Sequence, residues 1–198
     1  MQRTRIFLTG VGGQGTLTAT NLLAYTAMLQ GLAVTSGEIH GMAQRGGVVE
    51  STVLLGGWLS PKIGPAEADI LLGFEPLETL RALSYVRPGG LVVSNSESIP
   101  PLAVSLGKAS NPDPERIAAL VDACAGRSIF LPCRTLGLQA GAAQSGNLAL
   151  LGALCASSAL PFGVEALEQA VRSWMKPKLV DINLKAVALG VQAAEAAH

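Results

Sequence analysis

"RIFLTGVGGQGTLTATNLLAYTAMLQG", residues 5–31, decides the fold. Its first five residues, Arg5 to Thr9, are a short apolar run of the kind that makes a buried strand. Gly10 to Gly15 follow as GVGGQG. Thr16 to Gln30 then carries a helical pattern with Leu17, Leu22 and Leu29 among its apolar positions, and Gly31 ends it. A strand that enters a helix through a glycine-rich turn is the building unit of open α/β sheets.

The alternation continues along the chain. Leu32–Thr35 reads as a second strand, residues 37–47 as a loop, and Val48–Leu55 as a third strand. Residues 56–65, GGWLSPKIGP, are irregular, with turn residues throughout. Ala68–Phe74 is a fourth strand and Pro76–Tyr85 a helix with proline in its first turn, where a missing N–H costs nothing. Residues 87–90, RPGG, make a turn before the strand Leu91–Ser94. Asp113 caps a helix that has Pro114 at its first position and runs to about Ala123. Ser128–Leu131 is another strand. The rest is helical: Thr135–Ala143, Leu148–Leu160, Val164–Met175 and Leu179–Ala197. Strands interleaved with helices predict an α/β fold of three layers, α/β/α, around a mostly parallel sheet. No repeat and no long linker interrupts residues 1–198, so one domain with a helical C-terminal part is expected.

Composition removes several function classes. With 14 acidic and 14 basic residues there is no positive field to hold nucleic acid or an anionic membrane. Aromatic residues, at 4%, are too few for base-stacking platforms. Charged residues make up only 14%, which leaves little to solvate a whole surface and points to burial against a partner. The three cysteines, Cys124, Cys133 and Cys155, form no C-x-x-C pair, so this chain alone cannot supply a four-cysteine iron–sulfur or zinc site. Unpaired thiols suit a reducing cytoplasm. Met1–Arg5 lacks a signal-type apolar region, and the longest apolar stretch, Leu148–Leu160, is too short to span a bilayer.

Two stretches carry chemistry. Gly10, Gly12 and Gly15 make G-x-G-x-x-G, with Gly13 and Gln14 between, in the strand-to-helix context of a dinucleotide fingerprint. Glu38 lies near the end of the second strand, where a ribose-binding acid belongs. The glycines serve equally well to turn a strand into a closely packed helix. The second stretch, residues 37–51, is GEIHGMAQRGGVVES. It gathers Glu38, His40, Gly41, Met42, Gln44, Arg45, Gly46 and Gly47. Arg45 could grip a phosphate or carboxylate, or pair across a subunit interface. Both stretches follow strands at the carboxyl edge of the sheet, where open α/β proteins bind ligands. The residues leave a ligand edge and a protein-docking edge equally open. No G-x-S-x-G, G-x-x-x-x-G-K-[ST] or H-E-x-x-H occurs, so no catalytic residue is assigned to this chain. In the last helix Leu179, Ile182, Ala186, Leu189 and Ala193 form an apolar stripe, to be buried on the chain's own sheet or in an interface.

GVGGQG at 10–15 together with EIHGMAQRGG at 38–47 resembles the gamma-type domain of 2-oxoacid:ferredoxin oxidoreductases. The likeness continues through ADILLGFEPLETLRAL (68–83), RPGGLVVSN (87–95), GNLALLGAL (146–154) and NLKAVALG (183–190). A free-standing chain of this length with EPLETLRAL is most similar to the indolepyruvate type, in its beta-subunit form. The resemblance implies a Rossmann-like fold that is not an NAD site. It also implies a role in coenzyme A-dependent oxidative decarboxylation of arylpyruvates to aryl-acetyl-CoA, with ferredoxin reduced. Thiamine diphosphate, magnesium and iron–sulfur clusters are then expected on a large alpha subunit and none on this chain, with coenzyme A as co-substrate. The expected partners are that subunit and, through the complex, ferredoxin; homodimerisation stays open.

Overall fold

A computed structural model describes residues 3–40, 47–98 and 112–196. The fold is governed by strands that are apolar on both faces. The strands are β1 (Thr4–Val11), β2 (Val34–His40), β3 (Val48–Leu55), β4 (Ala68–Gly73), β5 (Val86–Asn95) and β6 (Arg127–Leu131). They form one sheet in the order β2-β3-β1-β4-β5-β6. β1, β4, β5 and β6 are mutually parallel, and β3 runs antiparallel to both β1 and β2. The sheet is therefore mixed but mostly parallel.

Alternate residues sort the layers, because successive side chains leave a strand on opposite faces. Ile6, Leu8, Val53, Leu55, Ile70, Leu72 and Val93 enter the larger core. That core lies under α1 (Thr16–Leu29), α4 (Cys133–Ala140), α5 (Gly146–Ala156), α6 (Val164–Trp174) and α7 (Pro177–Ala196). Phe7, Leu54, Leu71 and Val92 face the other way, toward α2 (Pro76–Ala82) and α3 (Pro114–Cys124). The three-layer α/β/α expectation holds, with one helical layer much thicker than the other.

Several sequence-based boundaries move, each for a tertiary reason. The expected loop at 37–47 begins as strand, because Gly37, Glu38, Ile39 and His40 pair with Thr52, Ser51, Glu50 and Val49 of β3. A ladder partner outweighs the polar character of the segment. The expected turn at 87–90 lies inside β5, where the β4–β5 register shifts between Ala68 and Ile70 and Gly89 takes a left-handed φ of 76°. α2 tightens into a 3-10 turn over Leu83–Tyr85. α4 starts two residues earlier than its pattern. Another 3-10 turn, Ala143–Ser145, leads directly into α5, which stops at Ala156 before the left-handed Ser158.

The last helix largely keeps its expected face: Ala186 of the stripe is buried, Ile182, Leu189 and Ala193 pack partly buried against the core, and only Leu179 is exposed, at 42%. α7 also buries Asn183, Val187, Gly190 and Ala194. The buried face is set by how closely α7 approaches α5. A Cβ on Gly152 would stand 2.5 Å from the carbonyl oxygen of Val187, and one on Gly190 would overlap that of Ala149. The small residues thus allow backbone contact within the chain. α1 behaves alike: Leu17 and Leu29 are partly exposed, while Ala19, Leu22, Leu23 and Ala27 are buried.

Candidate functional site at the carboxyl edge of the sheet

The chain leaves β1 for α1 on one face and β4 for α2 on the other. The crevice between the carboxyl ends of β1 and β4 is therefore the topological switch point, where open α/β sheets place ligands. The glycine loop fills its rim. Gly10 permits close packing, since a Cβ there would lie 2.7 Å from Thr16 Oγ1 and 3.0 Å from Phe74 Cβ. Gly13 and Gly15 take left-handed φ values of 95° and 81°, and Gly15 is the N-cap of α1.

Much of the loop's hydrogen bonding is internal. The Val11 N–H donates to Gln14 Oε1 at 2.8 Å, and the Gln14 N–H to the Val11 carbonyl at 3.1 Å. The Gly12 N–H donates to the Gly47 carbonyl at 2.8 Å. This last bond ties the glycine loop to Gly47, which leads into β3. Asn147 Nδ2 donates to the Gln14 carbonyl at 2.6 Å and anchors the loop to α5. Three backbone N–H groups of the loop, those of Val11, Gly12 and Gln14, are thereby committed elsewhere than to a phosphate.

Glu38 does not stand where a ribose-binding acid must. It is exposed on β2, paired with Ser51, which in turn pairs with Leu8. With β3 inserted, β2 lies two strand spacings, about 10 Å, from β1. His40 is the last residue of β2. Gly41, Met42, Gln44, Arg45 and Gly46 lie outside the described residues.

Residues that the sequence did not single out complete the edge. Asn95, at the end of β5, is buried and joins three elements. Its Nδ2 donates to the carbonyls of Phe74 and Glu97, and its Oδ1 accepts from the Cys133 and Glu97 N–H groups. Glu97 accepts from the Thr135 N–H at 2.9 Å and from Thr135 Oγ1 at 2.6 Å. Asn95 and Glu97 thus cap α4, whose own N-cap position holds Pro132. The signal was present as the terminal Asn95 of RPGGLVVSN and as Asn147 of GNLALLGAL.

Three clefts meet at the open backbone of Gly13. One of about 220 Å³ lies against Asn95, Glu97, Cys133 and Asn147. A more apolar one of about 410 Å³ runs to Met175, Leu179 and Asn183. The third, about 350 Å³, faces Leu17 and Val49 beside the hairpin. The two larger clefts are walled by amides, hydroxyls, backbone and apolar side chains, and the smallest adds Glu97 and Arg134, a lining that suits binding more than bond-breaking. Burial pushes the Cys155 thiol up to about 12, and burial with the Glu97 carboxylate raises that of Cys133 further, so both are inert.

Among the described residues no group of three or more His, Cys, Asp or Glu side chains could hold a metal ion. The cysteines stand on three separate helices. These donors do not fit a thiamine diphosphate–magnesium site or an iron–sulfur cluster. No helix among the described residues is long and apolar enough to cross a membrane.

Comparison with known proteins places this geometry. Residues 5–193 match the pyruvate ferredoxin/flavodoxin oxidoreductase family. The chain is similar to indolepyruvate oxidoreductase subunit IorB of Pyrococcus horikoshii, with 41% identity over 98% of each chain. It is 39% identical to the protein of the same name from Thermococcus kodakarensis, again over 98% of each. Its fold is similar to the crystal structure of a keto/oxoacid ferredoxin oxidoreductase gamma subunit from Geobacter sulfurreducens. That match has a TM-score of 0.69 and 23% identity, and it covers 98% of this chain and 99% of the other. The chain therefore belongs to the pyruvate ferredoxin/flavodoxin oxidoreductase family.

Proposed function

We propose that this chain is the small beta subunit of a cytoplasmic indolepyruvate-type ferredoxin oxidoreductase and forms one domain over residues 1–198. The complex decarboxylates arylpyruvates oxidatively with coenzyme A, giving aryl-acetyl-CoA, carbon dioxide and reduced ferredoxin. Thiamine diphosphate, magnesium and iron–sulfur clusters belong to the large alpha subunit. This chain contributes the carboxyl edge, Gly10–Gly15 with Glu38–Gly47, against that subunit and the coenzyme A region. The observation that supports this role is the Gly12–Gly47 hydrogen bond, which joins the glycine loop to the residue that leads into β3. Near-full-length likeness to indolepyruvate subunits supports the substrate class.

Co-expression tests it. The isolated chain should be inactive. With the alpha subunit it should co-purify and support coenzyme A-dependent ferredoxin reduction by indolepyruvate. Preference for pyruvate or ketoisovalerate would assign another branch of the family. Tight NAD binding by the isolated chain, abolished by Gly12→Val, would overturn the subunit reading in favour of a nucleotide-binding protein.

A further inference from the structure

On the α2 face of the same edge three carboxylates converge with too little to answer them. Glu75 and Glu78 are buried, at 3% and 5% exposure, and half-buried Glu50 lies opposite Thr9 in the β1–β3 ladder. Paired residues share a face, and Phe7, two positions from Thr9, and Leu54, four from Glu50, pack under α2. Thr9 and Glu50 therefore point toward α2 as well.

Glu75 is satisfied. Its Oε2 caps α2 by accepting from the Leu77 and Glu78 N–H groups, and its Oε1 accepts from Ser98 Oγ. Glu78 is not. Its Oε1 accepts from Arg81 at 2.6 Å, but its Oε2 is buried with no hydrogen-bond partner among the described residues. Thr9 Oγ1, on a residue 1% exposed, is also buried and unpartnered. The Glu78 carboxyl is raised above its ordinary 4.5 by burial, against the pull of Arg81, and further by Glu75 and Glu50. Arg81 is the cation acting on it, and its own side chain is largely in solvent. An orphaned carboxylate oxygen and an orphaned hydroxyl, both on the α2 side of the sheet, are costly in a lone chain and call for an occupant.

We infer that Glu50, Glu75 and Glu78 receive a basic side chain, lysine or arginine, from the large subunit. The cation bonds Glu78 Oε2, and half-buried Glu50 forms the mouth of the site. The three carboxylates are not grouped closely enough to hold a metal ion, whereas a long cationic side chain brings its own reach. This inference rests on the subunit reading above.

Glu78→Gln keeps the shape, removes one charge and offers an amide donor to Thr9. The isolated variant should melt higher than wild type, by about 2–4 °C. Its association with the alpha subunit, measured by surface plasmon resonance, should weaken about thirtyfold or more. Glu50→Gln, at the rim, should flatten the salt dependence of the association rate. Wild type that fails to associate would sink the subunit reading itself. Wild type and Glu78→Gln that associate equally would overturn this inference alone. A rise in the melting temperature of isolated wild type with millimolar magnesium or potassium, absent in Glu78→Gln, would make the occupant a metal ion and also overturn it.

Discussion

Gly152→Ala sets two physical effects against each other with opposite signs. Gly152 lies inside α5, and alanine in a helix interior gains about 0.5–1 kcal/mol over glycine. Propensity alone therefore predicts a more stable protein. The packing predicts the reverse. The new Cβ would stand 2.5 Å from the Val187 carbonyl oxygen and 3.1 Å from both its carbonyl carbon and Cα. Ordinary contact begins near 3.4 Å, so α5 and α7 must part by roughly 0.9 Å. The atoms in the way are backbone, so no rotamer change relieves the clash. A radial gap of about 0.5–1 Å forfeits a quarter to a half of each dispersion contact along the helix pair. Overpacking of this kind costs about 1–3 kcal/mol, and rigid backbone neighbours place it at the upper end. After the propensity gain, the net loss is about 2 kcal/mol. Urea unfolding should show a lower midpoint with unchanged slope, and the melting temperature should fall by about 4–8 °C. Ala188→Gly, on the exposed side of α7, provides the propensity control and should lose about 1 kcal/mol. A Gly152→Ala protein as stable as wild type, or more so, would refute backbone contact between α5 and α7.

Three further outcomes follow from the site. Asn95→Ala removes four hydrogen bonds from a buried junction and leaves the Cys133 N–H without its cap, so urea denaturation should show a loss of about 3 kcal/mol. A thiol reagent at mildly alkaline pH should modify exposed Cys124 in the native chain, while Cys133 and Cys155 react only after unfolding. The stability advantage of Glu78→Gln over wild type should depend on pH. Folding raises the Glu78 carboxyl, so the native state holds its proton more tightly and wild-type stability falls as pH rises through the folded value. The gap between the variants should be widest at neutral pH and close as pH drops below 4.5, as two parallel urea titrations would show.

The strand–glycine–helix opening was legible because its signals are local: an apolar run, glycines at the turn and a helical period. The mostly parallel sheet followed from alternation alone. Elements defined by what they touch were less legible. Glu38 and His40 read as loop because their strand character comes from β3, which is hairpin-paired from the next segment. The packed face of α7 was legible through Ile182, Ala186, Leu189 and Ala193, but its closest contact was not, because the decisive residue is the smallest. Gly190 carries little hydrophobic signal, yet it sets the distance to α5. Asn95 and Glu97 escaped for the same reason, since a polar residue at a strand end has no period. The quoted motifs GNLALLGAL and NLKAVALG contain both halves of the α5–α7 contact. In this chain they largely specify packing, while Asn147 alone of that pair of motifs bonds to the glycine loop.

One inserted strand explains why a dinucleotide-like loop need not bind a dinucleotide. In a doubly wound sheet the acid that grips the ribose stands on the strand next to β1. Here the chain passes from α1 to β2 one position further out and returns through β3 into the gap, antiparallel. That return puts β2, with Glu38, two strand spacings or about 10 Å from β1 and brings Gly47 beside Gly12, where its carbonyl takes the Gly12 N–H. The same event removes the ribose contact and one amide of the phosphate contact. What remains at the edge is a hairpin fused to a glycine rim, with open clefts on the Gly13 side and an unanswered carboxylate cluster on the α2 face. Such an edge is incomplete in isolation. Under the proposed subunit role, its unpaired groups would find partners in the surface laid against this edge.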